Sequence, residues 1–459
     1  MPRGISFLSA ALLTTLLLPS VAIAAERIVA TSEELSTALA EAARGDAIIL
    51  KPGVYKGGLS REGLRQVLIR SADPAAPAVI EGGSFGLLLS DPVDVTLSSL
   101  VFRKQLENGI NIDDAESPET PARGIKLLRI LVHDIVNAGN HDGIKMAGVR
   151  DFLIDGVTVE NWGSEGSAID FVGCHHGLVQ NSWLANRKSN FEGSGVRPKG
   201  GSKDITIRAN RIELPFGKGR ALQAGGSTDA EFFRFVDGES GYEASDIVVE
   251  GNVVVGGSSA FSWVNIDGGV FHHNFAYRPG QWVARILNEN PGDEIVDTQN
   301  GRFHDNQIIF NDTKDEFNTA INAGDETLPA SFRFARNYWF NLADPTPKGS
   351  TPQLPAKEAD GHYGEKPSLA IDAPYVWNFP WGMWIVNANA SRMSVDVPNS
   401  AKLLRALPGT SAKFEPLLDD PLTGTWKSAP AGAPRLELPA MSQIILINVD
   451  ACPNCASGN

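Results

Sequence analysis

Short runs of alternating apolar and polar residues recur along the chain, and most copies carry an asparagine at the same place. Alternation at a period of two is typical of β-strands, because successive side chains point to opposite faces. The clear copies are Asp204-ITIRANRI, Asp246-IVVEGNVVV, Gly269-VFHHNFAY, Arg302-FHDNQIIF and Phe332-RFARNYWF, and the weaker ones are Lys126-LLRILVHDI, Asp151-FLIDGVTV and Gly177-LVQNSWL. The marked residues are Asn181, Asn210, Asn252, Asn274, Asn306 and Asn337, with separations from 22 residues (252 to 274) to 42 residues (210 to 252).

A repeat of this length indicates a solenoid, in which each unit forms one coil stacked on the next. An asparagine suits the turn of each coil, because its amide can bond the backbone of neighbouring coils and because it tolerates the left-handed conformation. We therefore predict an all-β fold, a right-handed parallel β-helix, over residues 26–343. Longer insertions at 113–123, 216–245 and 289–299 are expected to form loops on one face, where solenoids often bind ligands.

The segment Thr31-SEELSTALAEAARGD precedes the first predicted coil and has the pattern of a capped helix. Ser32 is the expected N-cap, the apolar residues Leu35, Leu39 and Ala42 share one face, and Gly45 ends the helix. A solenoid leaves its terminal coil with an open apolar end. We therefore predict that this helix covers that end.

Both termini differ in composition from the repeats. Residues 1–24 have the pattern of a signal peptide: Arg3, an apolar run from Leu8 to Val21, and a cleavage site at Ala22-Ile23-Ala24. No other apolar run is long enough to predict a membrane span, so we expect a secreted or periplasmic protein.

Residues 344–459 form a Pro- and aromatic-rich extension that we expect to pack on the solenoid. Its aromatic segment Tyr375-VWNFPWGMW is also of the kind that stacks on sugar rings. Cys452 and Cys455 predict a local disulfide or an unpaired tail rather than a metal site, because no further cysteine or histidine ligands lie nearby.

The formal net charge is −14, which argues against a nucleic-acid partner. An acidic protein binds an acidic polymer only through a local basic patch or a bridging cation. The densest group of charged residues lies within 140–235. Lys145, Asp170 and Lys199 each precede a marked turn position by eleven residues, so we expect them to be neighbours in one outward column. Arg285 follows a few coils later.

Two further segments are Arg27-IVATSEELSTALAEAARGDAIILKPGVYKG, at the start of the predicted solenoid, and Gly195-VRPKGGSKDITIRANRI. They resemble the alginate lyase and chondroitinase B family of polysaccharide lyases, and the second is similar to the coil that carries the family's catalytic lysine. The resemblance implies that Lys199 is the base and that Arg220, about one coil later, assists it. The family's Arg-His-Gly strand is Ala221-LQAGG here, which places Gln223 at that position. Of the family's acidic calcium-binding pair only Glu192 is present, with Ser194 in the second place.

The residues themselves favour the same class of chemistry. Elimination from a uronate needs a cation beside its carboxylate and a base of lowered pKa for the C5 proton. Lys199 between Arg197 and Lys203 fits such a base, and His141 is the reserve acid–base group. The predicted substrate-binding residues are Arg197, Lys145, Gln223 and Arg285. Asp170 is either a Ca²⁺ ligand together with Glu192 or the counter-charge of Lys145 and Lys199.

Three functions remain open from the sequence. The first is a lyase that cleaves an anionic polysaccharide, acting as a monomer. The second is a glycoside hydrolase, with Asp142 and Asp170 as its two carboxylates, or a uronate epimerase. The third is a non-catalytic β-helix that binds glycans. Fold alone does not choose among them.

Overall fold

The computed structural model describes residues 25–365, apart from 137, 237, 291–293 and 314–316, and the backbone of short strands between 375 and 447. The predicted signal peptide and the two C-terminal cysteines lie outside the described residues. No helix in the described part of the chain is long and apolar enough to cross a membrane.

The described chain from 26 to 363 winds into a parallel β-helix, which confirms the predicted fold. Each coil contributes a strand to three parallel ladders in turn. The first ladder contains Glu26–Val29, Ala47–Leu50, Leu68–Ser71, Thr96–Ser98, Ala122–Leu128, Val149–Asp155, His175–Gln180, Ser202–Arg208, Ala244–Glu250, Val270–His272, Arg302–His304, Arg333–Ala335 and Glu358–Ala359.

The second and third ladders follow the first within each coil. The second contains Val54–Lys56, Val79–Glu81, Val101–Arg103, Leu131–His133, Thr158–Glu160, Trp183–Ala185, Phe275–Tyr277, Gln307–Phe310, Tyr338–Asn341 and His362–Tyr363. The third contains Leu59–Glu62, Leu87–Ser90, Ile110–Asp113, Ile144–Ala147, Ser167–Val172, Ser194–Lys199, Trp282–Leu287 and Thr319–Ala323. Two long strands, Arg211–Gly225 and Val253–Val264, run through both ladders and join them into one sheet.

The alternation along each strand fills the interior of the solenoid with stacked apolar side chains. In the third ladder the inward positions form one buried column through successive coils: Ile144, Ile169, Val196, Leu222, Phe261, Ala284 and Ile321. Because strand side chains alternate, the residue after each of these points outward. The apolar core therefore fixes which polar side chains share the outer face.

A ladder of buried side chains joins the coils at the corner between the first and second ladders. Asn252 Oδ1 accepts from the backbone N–H and from Nδ2 of Asn210, both at 3.0 Å, and Asn252 bonds Asn274 in the same way. The pattern continues through Asn306 and Asn337 and ends on the carboxylate of Glu358. This satisfies backbone groups that water cannot reach.

The predicted place of Asn181 in this ladder is wrong. Ser182 lies at the ladder position instead, where its N–H donates to Asn210 Oδ1 (3.0 Å). Asn181 has φ 52° and bonds Asp155 outside the core. The sequence pattern identified the turn, but it did not separate the left-handed residue from its buried neighbour.

Asn252→Ala is expected to destabilise the fold by roughly 1–3 kcal/mol. Alanine would remove the acceptor of the backbone N–H of Asn210 and the Nδ2 donor to the carbonyl of Ile207 in a dry interior. Urea denaturation measures the change. Asn181→Gly is the matched control, because glycine keeps the left-handed conformation, and it should cost about 0.5 kcal/mol or less. Equal stability of both variants would argue against an energetic role for the ladder.

The predicted N-terminal helix is present as Ser32–Glu41, and its buried residues Leu35, Ala38 and Leu39 face the first coil. Its N-cap is Thr31 rather than Ser32, since Thr31 Oγ1 accepts from the N–H of Glu34 (3.2 Å). Ser32 Oγ instead accepts from the N–H of Lys56 (2.9 Å) and ties the helix to the first coil.

The coils continue beyond the predicted boundary at residue 343. A short helix, Pro347–Ser350, is followed by two further coil strands, at 358–359 and 362–363. The strands farther along pair antiparallel, in contrast to the solenoid. They are Tyr375–Phe379, Gly382–Asn387, Met393–Asp396, Lys402–Leu407, Leu418–Asp420, Thr425–Trp426, Arg435–Leu438 and Ser442–Ile447. How the extension packs stays a prediction.

Candidate functional site

The outward face of the third ladder carries a column of polar residues, one from each of eight consecutive coils. By strand register they are Asn111, Lys145, Asp170, Arg197, Gln223, Ser262, Arg285 and Asn322. Neighbouring strands lie about 4.8 Å apart, so the column presents successive polar groups along the solenoid axis. Five of these residues are partly exposed and can meet a ligand that lies across the strands, whereas Asp170, Gln223 and Ser262 are buried.

The column contains all four predicted substrate-binding residues together with Asp170, but it does not contain Lys199. Arg197 takes the position next to Asp170, and Lys199 lies two residues farther along the same strand. The spacing of eleven residues that predicted Lys199 in the same column as Asp170 is wrong for two reasons. The marked Asn181 is not the buried ladder position, and the turn at Gly200–Gly201 is one residue longer than the turn in the preceding coil.

Asp170 is the centre of an ion-pair network on the outward face of the third ladder, which forms the floor of a groove walled by the loop that begins at Gly226. Its side chain is fully buried, and it accepts from Lys145 Nζ (3.1 Å) and from Arg197 Nε (3.0 Å). Lys145 also lies 3.4 Å from the buried carboxylate of Asp142. Asp142 Oδ1 accepts from the N–H of Ser167 (2.7 Å), which fixes its orientation. Of the two predicted roles of Asp170, the structure supports the counter-charge, with Arg197 in the place of Lys199.

The two carboxylates of this network have opposite pKa shifts. Burial alone would raise the pKa of Asp170, but the charges of Arg197, Lys145 and Lys199 outweigh burial and lower it. Burial, followed by the negative charge of Asp170, raises the pKa of Asp142 to about 6. Asp170 is therefore ionised at neutral pH, whereas Asp142 titrates in mildly acidic solution.

Asp142→Asn should change the pH dependence of stability in a defined direction. A carboxyl group whose folded pKa is raised destabilises the fold progressively as pH rises from its unfolded pKa to its folded pKa. The free energy of unfolding of the variant should therefore rise relative to that of the parent, by roughly 2–3 kcal/mol. The rise should occur as pH increases from the unfolded pKa of an aspartate, about 3.9, to the folded pKa of Asp142, about 6. Urea denaturation across this pH range tests it. A pH-independent difference between the two proteins would contradict the shift.

Lys199 is half-buried at the end of its strand, where the groove floor meets the loop that begins at Gly226. Its Nζ donates to the carbonyl of Ser227 (3.3 Å), and it forms no ion pair with a carboxylate of the described residues. Burial lowers its pKa, the charge of Asp170 raises it, and Arg197 and Lys145 lower it further, with a net decrease. Lys203, the predicted second source of like charge, pairs with Glu239 (2.6 Å) instead.

Arg220 lies in a different column from the one the sequence predicts. Its register partner is Ser194, five residues before Lys199, which corresponds to roughly 16 Å along the strand. Ser194 pairs with Arg220 and Val196 with Leu222, so this coil is 26 residues long and a count of 21 residues from Lys199 ends five residues short of its neighbour. Arg220 Nη1 pairs with Glu289 (2.6 Å) and donates to Gln223 (3.2 Å). Gln223 in turn donates to the carbonyl of Gly225 (3.0 Å).

Arg285 is held in place without a carboxylate partner among the described residues. Its guanidinium lies 4.3 Å from the ring centroid of Trp282, and its Nε donates to Asn322 Oδ1 (3.0 Å). Burial and the nearby charge of Arg220 lower its pKa to about 10. Arg285 therefore remains a cation at neutral pH, fixed by an aromatic ring and an amide. The sequence pattern did not identify Trp282 and Asn322, although both follow from the register of their strands.

The predicted Ca²⁺ ligands do not fit a metal site. Glu192 is exposed and pairs with Lys218, whereas both oxygens of Asp170 face cations. The register of Ser167 with Ser194 places Glu192 roughly 16 Å along the strand from Asp170. Within the described residues no group of three or more His, Cys, Asp or Glu side chains is arranged to hold a metal.

His141 lies in the loop before the third-ladder strand Ile144–Ala147. The neighbouring Asp142 directs its carboxylate to Ser167 and Lys145, not to His141. The structure therefore gives no support to a His141–Asp142 acid–base pair, and His141 stays a predicted reserve group.

The insertion that begins at Gly226 forms one wall of the groove over the third ladder. It starts ten residues later than the sequence suggests, because the strand Arg211–Gly225 continues through the predicted loop. Arg234 in this wall pairs with the buried Asp114 (2.8 Å), which belongs to a coil 120 residues earlier. The wall thus runs back across several coils, and an ion pair fastens it there.

Neither a family model nor a curated protein matches the chain. Solved structures to which it is similar include an alginate lyase from Paenibacillus sp. str. FPU-7, with 17% identity, a TM-score of 0.45 and coverage of 65% of this chain and 99% of the other. They also include a lacto-N-biosidase from Eubacterium ramulus (11% identity, TM-score 0.48, 74% and 68% covered). A third is the A-module of a mannuronan C-5 epimerase from Azotobacter vinelandii (14% identity, TM-score 0.41, 72% and 90% covered).

Proposed function

We propose that the protein is an exported polysaccharide lyase that cleaves an anionic, uronate-containing polysaccharide by β-elimination. The observation that carries the proposal is a half-buried lysine of lowered pKa, Lys199, beside a row of cations on the groove floor. A lysine of lowered pKa is neutral in a larger fraction of molecules, and the neutral amine is the form that takes a proton from carbon. The predicted signal peptide supports export, and a single chain provides the whole groove, so we expect a monomer.

The cations of the groove differ in how well they can bind a substrate carboxylate. Arg197 uses Nε for Asp170, which leaves its two terminal nitrogens for a ligand carboxylate, and Arg285 has no carboxylate partner in the described structure. A guanidinium bound to the uronate carboxylate would withdraw charge and acidify the C5 proton. We therefore assign carboxylate binding to Arg197 and Arg285. Arg220, already neutralised by Glu289, contributes less than the sequence suggested.

One lysine can act first as the base and then as the acid of the elimination. Neutral Lys199 takes the C5 proton, and the electrons of the C5–H bond form the C4–C5 double bond. The C4–O bond then breaks, and protonated Lys199 returns the proton to the leaving oxygen. Lys145 does not suit the role of base, because Asp170 and Asp142 outweigh burial and raise its pKa.

A glycoside hydrolase is the second candidate, since Asp142 and Asp170 have pKa values shifted in opposite directions, as an acid and its partner require. Both carboxylates are fully buried beneath Lys145, however, which keeps them from a scissile bond. An epimerase would use the same base on the same C5 proton. The similar structures include a lyase, an epimerase and a glycosidase, so they do not choose among these reactions.

A screen of anionic polysaccharides tests the proposal. A lyase produces an unsaturated sugar, which is detected by new ultraviolet absorbance. New reducing ends without that absorbance would indicate a hydrolase, and exchange of the C5 hydrogen with solvent without cleavage would indicate an epimerase. Retention of the protein on a polysaccharide without any product would indicate a binding protein.

A further inference from the structure

Glu243 is a fully buried carboxylate behind the groove, directly before the first-ladder strand Ala244–Glu250. It accepts four hydrogen bonds, each of 2.8 Å. The donors are the N–H of Gly200, the N–H and the hydroxyl of Thr228, and the amide of Asn290. None of these donors is a cation. A buried carboxylate held by neutral donors keeps its charge effective over a longer range than a paired one.

The four bonds connect three segments that meet around the candidate base. Gly200 follows Lys199 directly in the chain, and the residue before Thr228 supplies the carbonyl that accepts from Lys199 Nζ. Asn290 follows Glu289, the partner of Arg220. The backbone N–H groups of Glu289 and Asn290 are in turn held by Asn265 Oδ1, both at 2.8 Å. One carboxylate thus fixes the turn that carries Lys199, the groove wall and the Glu289 loop.

We propose that Glu243 is a positioning residue for Lys199. It holds the turn that carries Lys199 against both loops and places a buried negative charge, held by neutral donors, behind the amine. The inference rests on the proposed role of Lys199 as the base. Glu243 does not touch the groove, so its action is through Lys199 and not on the substrate.

The charges around Lys199 give the inference a measurable consequence. Asp170 from the preceding coil and Glu243 raise the pKa of Lys199, whereas burial and the cations Arg197 and Lys145 lower it. Removal of the charge of Glu243 should therefore lower the pKa of Lys199 further. A base is active when it is deprotonated, so the rising limb of the pH–rate profile should move to lower pH.

Glu243→Gln is the direct test, with Glu239→Gln as the matched control. Glu239 belongs to the same loop but is exposed and pairs with Lys203. We expect Glu243→Gln to lower kcat roughly 10- to 100-fold with little change in KM, since a misplaced catalytic group loses rate more than binding. Its pH limb should move to lower pH, while Glu239→Gln should match the parent. A lowered kcat with an unmoved pH limb would overturn the electrostatic part of the proposal, and unchanged kcat would overturn the whole.

Thr228→Val separates geometry from charge and covers the case in which Glu243→Gln does not fold. It removes one hydroxyl donor and leaves the carboxylate charged. We expect a lower kcat with an unmoved pH limb. Parental kcat in this variant would contradict the positioning role.

A measurement that needs no turnover distinguishes failure of this inference from failure of the proposed function. The rate at which acetic anhydride modifies Lys199, followed by mass spectrometry across pH, reports the pKa of its amine. The titration should move to lower pH in Glu243→Gln and stay unchanged in Glu239→Gln. If the titration of Lys199 moves but the protein cleaves no polysaccharide, the proposed lyase function is wrong and the effect of Glu243 on Lys199 stands. If the titration does not move in a protein that is an active lyase, only the effect of Glu243 on Lys199 is wrong.

Discussion

Replacement of Lys199 by alanine is expected to lower the turnover of a cleaved polysaccharide by 10²- to 10⁴-fold, the usual cost of losing a general base. Alanine removes the amine whose pKa is lowered by burial, Arg197 and Lys145. The side chain makes one long hydrogen bond, to Ser227. Thermal stability and retention on the polymer should therefore remain close to those of the parent. Ultraviolet absorbance of the product gives the rate, and a melting curve gives the stability.

Lys203→Ala is the matched control for this experiment. Lys203 lies four residues away, in the first-ladder strand, and pairs with Glu239 and Asp246 outside the groove. We expect it to keep the parental rate. If Lys199→Ala also keeps the parental rate, the base is elsewhere, and His141 is the next residue to replace.

The fold was predictable because its stabilising features are periodic in the sequence. Asn210, Asn252 and Asn274 each accept from a buried backbone N–H of the preceding coil, so an asparagine recurs at this corner in successive coils from Asn210 to Asn337. Strand alternation follows from the same geometry, because each coil buries one face. The capping helix was predictable from its own amphipathic pattern, although the competition between Thr31 and Ser32 for the N-cap depended on a contact with Lys56.

The site was less predictable, because its columns depend on coil lengths that the sequence does not mark. One additional residue at the turn after Lys199 placed Arg197 beside Asp170. A coil of 26 residues, rather than the expected 21, placed Arg220 far from Lys199. The ion pairs of the site were also not evident from the sequence. Glu192 pairs with Lys218, 26 residues away, and Arg220 pairs with Glu289, 69 residues away. The sequence therefore predicts most of the polar column on the third ladder, but not which of its cations a ligand can reach.

Asp170→Asn is expected to destabilise the protein by about 3 kcal/mol at neutral pH, near the lower end of the cost of breaking a buried ion pair. The upper end does not apply, because the side chains of Lys145 and Arg197 are 30% and 19% exposed and water can solvate them in part. Asp142 also remains 3.4 Å from Lys145, so most of the loss falls on Arg197. Asp204→Asn is the surface control. Its partner His176 is 50% exposed, and the expected change is about 0.5 kcal/mol or less.

The pH dependence of this loss identifies its origin. The folded pKa of Asp170 is lowered, because Arg197, Lys145 and Lys199 outweigh burial. A carboxyl group of lowered pKa stabilises the fold above its unfolded pKa, about 3.9, and this stabilisation disappears as pH falls through the folded value. The difference between parent and Asp170→Asn in urea denaturation should therefore persist from neutral pH to about pH 4 and shrink below it. Between about pH 6 and pH 4 it should increase, because protonation of Asp142 in the parent relieves its repulsion of Asp170. A difference that persists in strong acid would mean that the variant disturbs packing rather than charge, because a protonated Asp170 no longer attracts Arg197.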